Sequence, residues 1–223
     1  MKKILLLVFI SVFTLSKAND LIVENIYHQS FKKAYSLYPS VPKGILEAVA
    51  YTQSRFNHLS DNTEPSCIGL PRTYGIMGLI ADGKNYFRNN LQFVSDLSGF
   101  TEEDIKRNPE TSIIAYAAAF SEIQKQVNNY SKNPADYKLT LIALSELPMR
   151  NDNLMDDYVM NVHLYQLFWF LNKGEFQDAY GFPDYHLNLS EIFGDNYSVL
   201  SSSSVKISKT SILSNNGSKY NST

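Results

Sequence analysis

Apolar residues recur three and four positions apart in segment after segment of this chain. That spacing suits packed helices and little else. Over 20–38, Val23, Tyr27, Phe31, Ala34, Tyr35 and Tyr38 fall near one stripe, which Pro39 closes. Residues 42–54 predict a second helix, with Pro42 in its first turn and Leu46, Val49, Gln53 and Phe56 along one face. A third is expected over about 84–97 through Phe87, Asn90, Leu91, Val94 and Leu97, stopped by Ser98 and Gly99. Thr101 and Asp104 read as a capping box for a short helix. Asn108-Pro109 supplies an N-cap and a first-turn proline for the next helix, whose stripe is Ile113, Ala117, Phe120, Ile123, Val127 and Tyr130. Asn133-Pro134 repeats the device for a helix up to Leu147. A last long helix begins at Asp152, with Met155, Val159, Val162, Gln166 and Trp169 on its face, and ends near Lys173-Gly174. No stretch alternates convincingly with period two. The expected class is therefore predominantly α, with a loop-rich or small β section over 57–83, where Gly and Pro punctuate a polar run.

The N-terminus carries an address signal. Lys2 and Lys3 precede the apolar run "ILLLVFISVFTL", and Ser16 and Ala18 place small residues at a cleavage position. This reads as a secretory signal over 1–18, too short for a membrane span, and predicts a secreted or periplasmic protein that meets the membrane only through that segment. Residues 19–195 then form one helical domain. Residues 196–223 are assigned to a linker or disordered tail, because 14 of the 23 residues from Ser201 onward are Ser, Thr or Asn and none is acidic.

Charge and cysteine content exclude several classes. Without Lys2, Lys3 and Lys17 the 20 basic residues become 17 against 22 acidic ones, so the net charge moves from −2 to −5. A nucleic-acid binder needs clustered basic charge, so none is expected as partner. Cys67 is the only cysteine, and stability must come from packing rather than from an internal disulfide. His28, His58, His163 and His186 lack metal-ligand spacing. His58, Asp61 and Cys67 share a loop but lack a fourth ligand, so no metal is assigned. No glycine-rich loop suits a phosphate, and no cofactor is expected. The run "YQLFWFLNKG" at 165–174 reads as core rather than as a membrane contact.

Four stretches together resemble the lysozyme-like soluble lytic transglycosylase (SLT) domain over roughly residues 40–150. "ILEAVAYTQSRF" is similar to that family's active-site helix, which reads "L-A-V-I-x-x-E-S-x-F". Ser54 and Phe56 agree, and Gln53 falls on the one catalytic Glu. "YGIMGLIADG" resembles the family's "G-A-x-G-L-M-Q" turn through Gly75, Met77, Gly78 and Leu79, with Ala81, or Gly78 in a shifted register, in place of its substrate-facing Gln. "PETSIIAYAAAF" resembles the "N-I-x-x-G-x-x-Y-L" helix, with Ser112, Tyr116 and Ala119 at its Asn, Gly and Tyr. In "LIALSELP", Leu144 and Ser145 replace the Tyr-Asn pair of "A-Y-N-A-G". Eighteen residues, 57–74, separate Phe56 from Gly75 and read as an insertion beside the cleft.

The resemblance implies a helical domain that binds peptidoglycan glycan strands. Ser54, Tyr74, Met77, Gly78, Tyr116 and Ser145 are the expected contacts. Glycoside cleavage in that family needs a protonated carboxyl, and an amide has no such proton. Gln53 therefore implies a pseudoenzyme with little or no lytic activity. An active muramidase would need a loop carboxylate, with Asp61, Glu64 and Asp82 as candidates. Glu47 points to another face and reads as a solvated helix charge. A third reading is a non-catalytic envelope scaffold. The resemblance also implies a place beside a cell-wall amidase, because such degenerate domains can precede one.

Overall fold

The computed structural model describes residues 25–64, 69–82, 86–150 and 153–222. The expected signal segment and Cys67 lie outside the described residues.

Ten helices and four short strands are present among them, which places the chain in the predominantly α class. The helices are α1 (His28–Leu37), α2 (Ile45–Ser54), α3 (Asn90–Ser98), α4 (Glu102–Arg107), α5 (Pro109–Val127), α6 (Lys138–Leu144), α7 (Leu154–Leu171), α8 (Gly174–Tyr180), α9 (Leu189–Phe193) and α10 (Tyr197–Leu200). Strands β1 (Thr73–Tyr74) and β2 (Leu79–Ile80) pair antiparallel within the expected β section, and β3 (Val205–Ile207) pairs with β4 (Ile212–Ser214) near the C-terminus.

Helix α5 is the axis of the core. Asn108 accepts hydrogen bonds from the Glu110 and Thr111 backbone N–H groups, and Pro109 opens the first turn, so the expected cap is in place. Its run of Ala115, Ala117, Ala118 and Ala119 keeps the helix narrow, and α1, α3 and α4 pack against it. Thr101 likewise caps α4, accepting from the Asp104 N–H at 3.1 Å.

Helix α7 faces the core with a different set from the one its sequence stripe suggests. Tyr158, Leu164, Leu167, Phe168, Phe170 and Leu171 are buried, whereas Val159 and Gln166 are exposed. The helix is apolar nearly all round, so a 3.6-residue period cannot tell which side the neighbours cover. Phe170 stacks on Phe176, Tyr180 and Phe182, and Tyr51 joins the same ring cluster from α2. This aromatic seam fixes α2 against α7 and α8. No helix among the described residues is long and apolar enough to cross a membrane.

Residues 201–222 differ from the linker that their composition suggests. β3 and β4 form a hairpin that carries Ile212 and Tyr220 into the core, with Tyr220 only 1% exposed. Its ring meets Tyr158 edge-on at 5.1 Å. Its hydroxyl donates to Asp157 Oδ2 at 3.0 Å and accepts from Asn161 Nδ2 at 2.8 Å. Asn196 and Asn221 exchange two further bonds. Two large apolar anchors outweigh the polar composition around them.

Candidate functional site

Helix α2 ends at Ser54, followed by Arg55 and Phe56 in the left-handed region with φ of 53° and 58°. Two successive non-glycine residues there stop the helix abruptly, and Gln53 lies on its last turn. The turn between β1 and β2 closes over it. The Ser54 hydroxyl donates to the Ile76 carbonyl at 2.6 Å, with the Ala50 carbonyl at 2.9 Å. Gly78 has φ +65°, and a Cβ there would sit 2.4 Å from the Gln53 Cβ, so only glycine lets the turn rest on that side chain. At Gly75 a Cβ would lie 2.5 Å from Ser112 Oγ, which ties the same turn to α5.

From the far side comes a carboxylate that the four motifs did not point to. Gln53 Nε2 donates to Glu146, 3.1 Å from Oε2 and 3.4 Å from Oε1. Glu146 follows the end of α6 and is 8% exposed. Burial raises its pKa above the ordinary glutamate value, against the opposing pull of the Gln53 hydrogen bond and the nearby Arg88 charge. No ion pair to Glu146 is formed among the described residues. Arg88 instead spends its guanidinium on the chain around it: Nη2 donates to the Ser145 carbonyl at 2.6 Å and to the Ile142 carbonyl, and Nε donates to the Leu147 carbonyl at 2.8 Å. Its backbone N–H donates to the Glu146 carbonyl at 2.7 Å. Asn90 adds a stitch, accepting from the Ile80 N–H at 2.7 Å and donating to the Leu144 carbonyl at 2.9 Å. The backbone around Glu146 is therefore clamped by Arg88, just before α3, and by Asn90 at its start, while its carboxyl meets a neutral amide. The Tyr116 phenol feels both its own burial and the Glu146 charge, and its pKa is pushed far up.

The expected sugar contacts fare unevenly. Gln53 and Tyr74 are partly exposed. Ser54, Met77, Gly78, Tyr116 and Ser145 are buried, Met77 to 1% and Tyr116 to 3% exposure, and they brace the site rather than line a surface. The Ser145 hydroxyl lies 2.9 Å from Arg88 Nη2 and accepts from it. Glu64 is exposed, and Asp61 pairs with Arg72 at 3.7 Å. Asp82 is buried and accepts from the Phe87 N–H at 2.6 Å, ordering the approach to α3.

Glu47 is not the solvated charge its place near a helix start suggests. It is 4% exposed, and Tyr35 donates to its Oε2 at 2.5 Å. The same phenol oxygen accepts from the Gly44 and Leu46 N–H groups, so Tyr35 caps α2 from outside. Burial pushes the Glu47 pKa up to about 7. It lies beside a cavity of about 430 Å³ rimmed by His28, Lys32 and Lys43. Among the described residues no group of three or more His, Cys, Asp or Glu is placed to hold a metal ion. Comparison with protein-family models, with curated proteins and with solved structures gives no match for this chain.

Proposed function

We propose that the chain is a secreted or periplasmic, lysozyme-like domain that binds peptidoglycan glycan strands, with Gln53 at the base of the binding site. The observation that carries this reading is the setting of Gln53. A partly exposed amide ends a buried helix under a glycine turn, where the resembled family holds its acid. Gln53 itself gives no proton, so this residue supplies recognition rather than cleavage. A glycan offers hydroxyl and acetamido groups, and an amide both donates to and accepts from such groups. A cell-wall amidase is the partner this role suits.

The burial of Met77, Tyr116 and Ser145 favours a second reading, an envelope interaction scaffold that keeps the helical frame and touches no sugar. Sedimentation separates the two. Purified protein mixed with insoluble peptidoglycan sacculi is expected to pellet with them, and Gln53→Ala is expected to weaken the pelleting. A protein that stays in the supernatant, wild type and variant alike, contradicts glycan binding and supports the scaffold.

A further inference from the structure

The geometry points to Glu146 as the proton donor of a working glycosidase site, with Gln53 as the residue that positions it. This inference rests on the glycan-binding reading above and adds an activity to it. Three observations converge. The Glu146 carboxyl lies 3.1 Å from the amide that ends α2, so an acid stands beside the position where the helix itself has none. Arg88 and Asn90 fix the backbone from Ile142 to Leu147 by hydrogen bonds to carbonyls at 142, 144, 145, 146 and 147. That is an extensive clamp for a loop whose one charged side chain takes no ion-pair partner among the described residues. Finally, burial favours the protonated form of this carboxyl, the form a general acid requires.

The structural alternative is a buried glutamate that merely holds α2 to α6. A purely structural carboxylate gains from a cation, and one is close at hand. Arg88 lies near enough to lower the Glu146 pKa, yet its Nε and Nη2 donate to main-chain oxygens and to the Ser145 hydroxyl rather than to that carboxyl. Among the described residues the side-chain donor that meets the carboxyl is the neutral Gln53 amide, and Gln53 is partly exposed. Such a pair can exchange the amide for a sugar oxygen without leaving a buried ion unpaired.

The step balances without a cofactor. The Glu146 proton passes to the bridging glycosidic oxygen. The bond from the anomeric carbon to that oxygen breaks, and its electron pair stays on the oxygen, which leaves as the hydroxyl of one product. Water adds its oxygen to the anomeric carbon, and the proton that it sheds restores the Glu146 carboxyl. One water is consumed per bond cut.

The test uses the full chain on purified sacculi and reads two quantities, new soluble reducing ends and the fraction of protein pelleted. Wild type is expected to release reducing ends. Glu146→Gln, which preserves size and hydrogen bonding to Gln53, is expected to lose on the order of 10²- to 10⁴-fold in rate while still pelleting. Gln53→Leu removes a bond that favours the ionised carboxyl, so the high-pH limb of the rate profile should move up. Should Glu146→Gln fail to fold, that limb decides: an unmoved limb in Gln53→Leu overturns the proposal. Equal release by wild type and Glu146→Gln also overturns it. Pelleting without any release overturns the proton-donor role and leaves glycan binding standing. Neither pelleting nor release removes both.

Discussion

At the scale of single residues, two glutamates carry the chemical interest, and the sequence hides both for different reasons. The frame around Gln53 was legible, because the helical spacing of 44–56 and the glycines at 75 and 78 place the amide under a tight turn. Glu146 was not, because its partner lies 93 positions away and no local period reports such a contact. A signal existed: within "LIALSELP" Glu146 is the only charge. Glu47 is likewise the only charge in "GILEAVAYTQ". Its burial has a measurable consequence. With a folded-state pKa of about 7, above the ordinary value of 4.5, its contribution to stability is fully present below about pH 4.5. That contribution is lost as pH rises through 7. The shift corresponds to roughly 3 kcal/mol. Glu47→Gln keeps an acceptor for Tyr35 and removes the titration. Its melting temperature relative to wild type should therefore climb between pH 4.5 and 8, and parallel curves would show that Glu47 does not titrate with folding.

At the scale of elements, capping chemistry was readable and packing faces were less so. Asn108-Pro109, Thr101 and Asn133-Pro134 act within a few residues of themselves, and their hydrogen bonds form as expected. Pro134 opens a 3-10 turn over Pro134–Tyr137 before α6 starts at Lys138. The helix expected over 84–97 instead begins at Asn90. Asn90 has a second duty that no propensity reveals, joining β2 to the end of α6 across the site. Asn90→Ala would strand the Ile80 N–H and the Leu144 carbonyl in the interior, each a costly buried group. Denaturant unfolding should show a loss of about 2 kcal/mol or more with an unchanged slope. A wild-type midpoint would mean that the stitch contributes nothing. The same variant loosens the segment leading to Glu146, so any reducing-end release should fall with it.

At the scale of the whole molecule, the helical class followed from apolar spacing, while the limits of the folded unit did not. Composition over 201–223 is that of a polar tail. Burial is decided by individual side chains, and Ile212 and Tyr220 suffice to dock the hairpin on α7 and α10. If the hairpin is integral, Tyr220→Ala should cost about 3–5 kcal/mol, the usual range for emptying a large aromatic site. It should do so in a single cooperative transition. An unchanged melting temperature would return this segment to the status of a tail.

Gln53 and Glu146 form one unit, an amide at the end of α2 holding a protonatable carboxyl from the segment that follows α6. Site-resolved NMR titration of the Glu146 side chain tests this directly. The structure predicts a midpoint above the ordinary glutamate value that moves higher still in Gln53→Leu. An ordinary midpoint, or one indifferent to residue 53, would show that the two side chains do not act as a unit.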